Sequence, residues 1–405
     1  MTVTAHDWAP LLARRARSND SGGAIAAILA QANATDIITL SGGFPAAETF
    51  PVDVLSELTG RVLSSGSATA LQYSPTQGLP SVRDAITARL GEREGRVPTE
   101  AGLLVTSGGI DALELLSKSL IDPGDVVLVE APSYLGAIMG FKGYEADVRG
   151  VPMDESGLDV EALADLLADG LRPKFLYTIP DHQNPSGRTM SMDRRTALTT
   201  LADRYGMLIV EDVAYRELSF TGVRATSLWE LAPDIVVQVG TFSKIFFPGV
   251  RLGWAAGPDA IIAQMIEAKQ NSDQCSGAFG QRLVEEYIRG GHLDVQLELS
   301  RALYARRSAA MMSALDASMP PGVTWTIPTG GFFTWLTAPT GIDTAALAGR
   351  AREARVSYVP GAPFYADHQG QCEMRLSFSR VNEPDVHEGV RRLAALFTTT
   401  SQEIR

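Results

Sequence analysis

Apolar residues along the first two-thirds of the chain fall into two kinds of pattern. Short runs that are nearly continuous occur as VVLV at 126–129, FLYTI at 175–179, MLIV at 207–210 and IVVQV at 235–239. A strand buried on both faces of a parallel sheet reads this way, whereas a half-exposed strand alternates. Between the runs the apolar positions recur at helical spacing, which predicts helices over residues 80–90, 110–120, 160–167 and 193–205. The second of these stops at the breaker Asp122-Pro-Gly124. Strand and helix in alternation predict an α/β fold, a mostly parallel sheet sandwiched by helices.

Long helical patterns from about residue 260 lead into a different region. From Thr324 onward the signals are shorter strands, FFTWL at 332–336 and MRLSF at 374–378, with helices over 344–353 and from about Pro384. These predict a smaller α+β domain. The expected division is an N-terminal arm or helix over 1–40 associated with the small domain, a large ligand-binding domain over 41–290, and a small C-terminal domain over 291–405.

Composition narrows the classes. A chain of 405 residues, 45% hydrophobic, has room for two or three domains and a large core. Its formal charge of −12 and the lack of a basic run disfavour a nucleic-acid partner. Cys275 and Cys372 make no disulfide framework, which suits a reducing compartment. The N-terminus lacks an apolar signal core and no run is long enough to span a bilayer, so a cytoplasmic protein without membrane contact is expected. The histidines show no metal-ligand spacing, and no metal is expected.

Polar landmarks fall at or just past the predicted strand ends, where α/β sheets keep their ligand sites. Thr106-Ser-Gly-Gly-Ile-Asp111 opens a helix with little side-chain bulk. Backbone N–H groups at such a positive terminus suit an anion such as phosphate. Ala131-Pro-Ser-Tyr134 offers either an aromatic face to a flat ring or an ordinary core tyrosine. In Asp181-His-Gln-Asn-Pro-Ser-Gly187, Asn184 either initiates a turn or donates its amide to a ligand oxygen. Glu211-Asp-Val-Ala-Tyr215 puts two acids after a strand. They read as a helix cap with a solvated neighbour, or as one carboxylate on a pocket floor pairing with a protonated ring nitrogen. GTFSKIFFPGVRLGW at 240–254 sets Lys244 among hydroxyls and aromatics. A lysine there can form an imine with an aldehyde once its pKa is lowered. Thr241, Ser243 and Arg251 can bind a phosphate on the same molecule. An aldehyde, a phosphate, a flat ring, a ring nitrogen and a phenolic oxygen together describe pyridoxal phosphate.

In this order and spacing, SGGID, PSY, NPSG, EDVAY and GTFSKIFFPGVRLGW resemble the class I/II aminotransferases of pyridoxal-phosphate fold type I, in particular the branch of 2-aminoadipate and kynurenine aminotransferases. The resemblance implies an aspartate-aminotransferase-like fold with a seven-stranded-type sheet in the large, pyridoxal-phosphate-binding domain, and a homodimer with shared active sites. It implies catalytic roles for Lys244 as Schiff-base lysine and proton shuttle, for Asp212 on the pyridine nitrogen, and for Tyr215, which with Asn184 bonds the ring oxygen. Tyr134 would stack on the ring. The Gly109 and Ile110 backbone, Thr241, Ser243 and Arg251 would hold the phosphate, reached also by Tyr73 of a neighbouring subunit. Arg375 would clamp the α-carboxylate of the substrate by its bidentate fork, with Asn184 and Gly43 also on the substrate. The implied activity is a transferase of amino-acid metabolism, an aminotransferase moving the amino group of an apolar or aromatic L-α-amino acid to a 2-oxo acid, with 2-oxoglutarate the expected acceptor.

The sequence also departs from this pattern. Ile25-Ala26 stands where aminoadipate-type members carry Ile-Arg, so a distal carboxylate read by that arginine is not expected. The adjoining NDSGG at 19–23 suggests an arm over the site. Gly109 and Ile110 replace polar side chains in the phosphate loop, and Cys275 stands near a position where relatives show proline. Phe44, Phe246, Phe247, Tyr134 and Phe364 are candidates for an apolar substrate pocket. His182 is a candidate for proton work, with a structural role as the alternative. These departures leave room for a non-transaminating pyridoxal-phosphate enzyme on the same scaffold, catalysing decarboxylation, β- or γ-replacement, cyclisation or C–C bond formation. A DNA-binding ligand sensor is disfavoured, because the residues before Ser41 are too few for a winged-helix domain and the charge is acidic.

Overall fold

A computed structural model describes residues 6–17 and 36–403. The expectations placed on residues 19–23 and on Ile25-Ala26 lie outside the described residues. After the two-residue strand β1 (Ile38–Thr39), the apolar runs join one sheet made of β2 (Leu103–Thr106), β3 (Val126–Ala131), β4 (Asp147–Asp154), β5 (Gly157–Leu158), β6 (Phe175–Thr178), β7 (Leu208–Asp212), β8 (Val236–Thr241) and β9 (Gly253–Ala256). The spatial order is β2-β9-β8-β7-β6-β3-β4-β5. Strands β8, β7, β6, β3 and β4 run parallel. Every residue of β6 and β8 is buried, the environment that continuous apolar runs require. Strand β9 lies antiparallel to both β8 and β2, and short β5 folds back antiparallel on β4, so seven longer strands carry a small edge hairpin.

Helices Pro80–Glu94, Gly109–Leu120, Val160–Ala168 and Met192–Tyr205 stand where helical spacing places them. Two begin under side-chain caps, Asp159 accepting from the Ala162 N–H and Ser191 from that of Arg194. Going outward from β3, the chain lays β4 on one side and β6, β7 and β8 on the other. The crevice past the strand ends at this reversal is where a doubly wound sheet receives its ligand.

A second sheet follows. Its strands are β10 (Thr324–Trp325) and β11 (Phe333–Thr337), then, beyond β12 (Val356–Ser357), which pairs with β1, β13 (Val359–Pro360) and β14 (Glu373–Ser377). They form an antiparallel sheet in the order β10-β11-β14-β13. Strand β14 is therefore interior, and Arg375 sits opposite Trp335 on one neighbour and Val359 on the other. Helices His292–Ser318 and Glu383–Glu403 pack against each other. One hydrophobic core is continuous from Leu104 and Val237 to Phe332 and Leu376. Among the described residues, no helix is long and apolar enough to cross a membrane.

Candidate active site

A cavity of about 320 Å³ opens past the carboxyl ends of β3, β6, β7 and β8 and takes in Arg375 from β14. Its walls bring together Gly43, Gly109, Ile110, Tyr134, Asn184, Asp212, Tyr215, Thr241, Ser243, Lys244, Arg251 and Arg375. Tyr73 does not join them. It is exposed and borders a separate surface hollow with Ser74 and Cys275. Three cations in the main cavity, Lys244, Arg251 and Arg375, share it with one carboxylate, Asp212. That excess of positive charge calls for anionic ligands.

One end is built for an anion. Helix Gly109–Leu120 begins at Gly108, with φ 104°, and no side chain caps it, so its first N–H groups stay available. A Cβ at Gly108 would come within 2.9 Å of Arg251 Nη2; its absence admits the guanidinium. Among the described residues Arg251 donates only to neutral oxygens, Ser243 Oγ at 3.4 Å and the Pro248 and Ser107 carbonyls at 3.3 Å. Thr241 Oγ1 donates to Ser243 Oγ at 3.1 Å. A guanidinium, two hydroxyls and an uncapped helix terminus thus converge on one space.

The floor is a carboxylate that makes no direct ion pair among the described residues. Asp212, at the end of β7, accepts from Tyr177 Oη at 2.8 Å and from the Ala214 N–H at 3.0 Å. Burial raises its pKa against those donors and Lys244, so a cationic ring N–H is the partner that would hold it ionised. Glu211, one residue earlier, points to the other face of the strand. There it caps helix Leu228–Leu231, accepting from the N–H groups of Leu228 at 2.8 Å and Trp229 at 3.0 Å. The two acids thus divide as a helix cap and a cavity carboxylate, and neither is solvated. Gly136 has no Cβ to collide with the Tyr134 ring, which borders the cavity. Lys244 Nζ donates to the Gly43 carbonyl at 2.8 Å. Burial, and then the charge of Arg375, lower its pKa to about 8.

The far end holds a buried guanidinium with neutral partners. Arg375 is buried, donating from Nη1 to Asn184 Oδ1 at 2.8 Å and from Nη2 to the Ser41 carbonyl at 2.7 Å, while Nε has no partner. Its guanidinium lies 4.3 Å from the centre of the Phe333 ring and 5.0 Å from that of Phe364. Burial lowers its pKa to about 10, which leaves it charged at neutral pH. Among the described residues it makes no ion pair, so an incoming carboxylate would supply its missing countercharge. Tyr215 lines the same cavity as Asn184, and burial holds its hydroxyl protonated.

Some expectations need correction. Phe44, Tyr134 and Phe364 line the cavity, but Phe246 and Phe247 pack on each other at 4.3 Å, and Phe246 on Tyr287 at 4.4 Å, away from it. Phe333, Leu113 and Leu135 complete the apolar wall, and nothing in the strand pattern of FFTWL distinguished Phe333 from a core residue. His182 is buried with Nδ1 3.1 Å from Thr189 Oγ1 and does not line the cavity, and burial lowers its pKa to about 4, which leaves the ring neutral near pH 7. Ser41 and Tyr177, which steady Arg375 and Asp212, were not anticipated; a hydroxyl inside the apolar run FLYTI is the signal for the second.

Residues 35–393 match the family model for aminotransferase class I and II. The chain belongs to this family. It is 41% identical over 366 residues to aromatic-amino-acid aminotransferase 1 of Thermococcus litoralis, covering 89% of this chain and 88% of that protein. The crystal structure of a multiple substrate aminotransferase from Thermococcus profundus superposes with a TM-score of 0.94 at 37% identity, over 98% of this chain and 100% of the other. An α-aminoadipate aminotransferase from Thermus thermophilus, complexed with N-(5'-phosphopyridoxyl)-L-leucine, gives 0.90 at 35% identity, over 98% and 100%. This aminotransferase has the aspartate-aminotransferase-like fold type I and depends on pyridoxal phosphate. The cavity suits that cofactor: an anion seat, a buried carboxylate with no direct ion pair among the described residues, a tyrosine ring and an amine of lowered pKa lie in one space.

Proposed function

We propose that this enzyme moves the amino group of an apolar or aromatic L-α-amino acid to a 2-oxo acid, 2-oxoglutarate serving as acceptor. It works in the cytoplasm as a homodimer in which Tyr73 serves the other subunit's site, with residues 41–290 as the cofactor domain and 291–405 as the small domain. The observation that carries the donor class is the wall around Arg375. Phe44, Phe333, Phe364 and Leu135 line it, an apolar surface against which an apolar or aromatic side chain can be buried. The name of the Thermococcus litoralis relative agrees with an aromatic donor. The acceptor follows from the family resemblance.

When bound, pyridoxal phosphate supplies an electrophilic carbon and a sink for charge at the α-carbon of the substrate. Arg251, Ser243, Thr241 and the N–H groups of Gly109 and Ile110 hold its phosphate. Asp212 keeps a proton on its ring nitrogen, Tyr134 covers a ring face, and Asn184 and Tyr215 hold the ring oxygen. Arg375 receives the α-carboxylate through its fork, oriented by Asn184. Lys244 anchors the cofactor and moves the proton at the α-carbon.

Anchoring requires the neutral amine of Lys244. With its pKa lowered to about 8, cofactor uptake by cofactor-free protein, followed by absorbance, is expected to rise through about pH 8 and level off above it. A midpoint near ~10.4, that of a free lysine, would contradict the buried, cation-flanked setting. The donor class is checked with single L-amino acids at fixed 2-oxoglutarate. Phenylalanine, tyrosine and leucine should exceed alanine in kcat/KM by at least about tenfold, as expected when the larger side chain is buried against an apolar wall. A preference for a dicarboxylic donor would overturn the reading.

A further inference from the structure

Behind the anion seat lies a charge arrangement to which the reaction assigns no part. Asp111 stands in the first turn of helix Gly109–Leu120, and its Oδ2 accepts from the Ser107 N–H at 2.7 Å. A carboxylate is welcome at a helix N-terminus on its own. Here it shares that terminus with the place for an anionic ligand, and like charges close together in a partly desolvated site oppose each other's binding.

Lys269, from helix Asp259–Gln270, answers that charge. Its side chain is fully buried, with Nζ 2.9 Å from Asp111 Oδ2 and 2.8 Å from Asp273 Oδ2. Asp111 is 15% exposed against 35% for Asp273, so the Asp111 charge is the less screened by solvent. Ser107 ties the group together. Its N–H goes to Asp111, its Oγ donates to Asp273 Oδ2 at 2.7 Å, and its carbonyl accepts from Arg251 at 3.3 Å. An ammonium is kept at such depth only where ion pairs compensate its lost hydration.

Given the reading that this end seats the cofactor's phosphate, we propose that Lys269 is a positioning residue for the cofactor. By neutralising Asp111, it lets the helix terminus bind a phosphate that the bare carboxylate would repel, and through Ser107 it fixes a carbonyl on which Arg251 is aligned. Neither Lys269 nor Asp111 needs to touch the cofactor for this.

The test measures retention of pyridoxal phosphate by the holoenzyme during dialysis, followed by absorbance, in wild type, Lys269→Met, Asp111→Asn and the double variant. Lys269→Met leaves Asp111 uncompensated and should shed the cofactor at least about tenfold faster than wild type. Asp111→Asn keeps an oxygen for the Ser107 N–H but drops the charge, and should retain the cofactor as long as wild type or longer. In the double variant the loss caused by Lys269→Met should be largely reversed, because the less solvent-screened of the two carboxylate charges that Lys269 compensates is gone, while Asp273 is the more exposed. An ion-pair cluster that serves only the fold gives the opposite order, with Asp111→Asn shedding cofactor faster than wild type and the double variant no better than Lys269→Met. Should Lys269→Met fail to fold, the direction of the Asp111→Asn change decides alone. A wild type that takes up no cofactor would sink the phosphate reading itself; a wild type that retains it, with Lys269→Met unchanged, would sink only the role of Lys269.

Discussion

Replacing Lys244 with alanine is expected to lower amino transfer by at least about a thousandfold, the scale on which covalent anchoring and positioned proton transfer act together. No neighbour in the cavity can take over. Tyr134 has a pKa pushed up to about 12, and burial likewise holds the Tyr215 hydroxyl protonated, so neither is a base near neutral pH. Asp212 is engaged by Tyr177 and the Ala214 N–H. The anion seat of Arg251, Ser243 and Thr241 is untouched by the change, so the variant should still bind pyridoxal phosphate without the covalent bond. Single-turnover formation of 2-oxo acid checks this, and adding a small primary amine should restore part of the lost rate. A variant within tenfold of wild type would show that Lys244 is not the proton carrier.

Changing Arg375 to lysine is expected to lower kcat/KM for amino-acid donors by roughly a hundredfold, the worth of a bidentate, charge-assisted contact. The substitution keeps the charge and removes the fork. It also gives up the planar contacts with Phe333 and Phe364, which a compact ammonium does not reproduce. The discriminating readout compares phenylalanine with phenethylamine, which lacks the carboxylate. Wild type should favour phenylalanine strongly, and Arg375→Lys should lose most of that preference. Retention of the preference would place the carboxylate contact elsewhere.

Much of this site was legible because its residues follow strand ends directly. Asn184 after β6, Asp212 at the end of β7 and Lys244 after β8 can be placed by local reasoning alone, since a continuous apolar run marks the strand and a polar residue beyond it marks the rim. Strand β9 was not legible. Its Gly253 has no room for a Cβ because the Gly240 carbonyl lies 2.5 Å from where that atom would stand, a constraint that exists only once the strands are paired. Contacts across the fold were equally hidden. Ser41 meets Arg375 across 334 positions and Tyr177 meets Asp212 across 35, and no periodicity reports such pairings. Glu130, which follows the run VVLV, is buried and must be satisfied from outside it. It is, by Thr178, Gln183 and the Ile179 N–H, although burial still pushes its pKa up to about 7. Phe246 and Phe247 misled because aromatic residues beside a strand-end lysine read alike whether they face a ligand or the core.

The most direct measurement mixes holoenzyme with L-phenylalanine alone, without an acceptor, and quantifies phenylpyruvate and carbon dioxide. About one equivalent of phenylpyruvate per active site, no carbon dioxide, and recovery of the starting absorbance on adding 2-oxoglutarate is the result expected of an enzyme that carries the amino group between two substrates. Release of carbon dioxide, or consumption of the amino acid without any 2-oxo acid, would contradict amino transfer and assign the same residues to a different reaction.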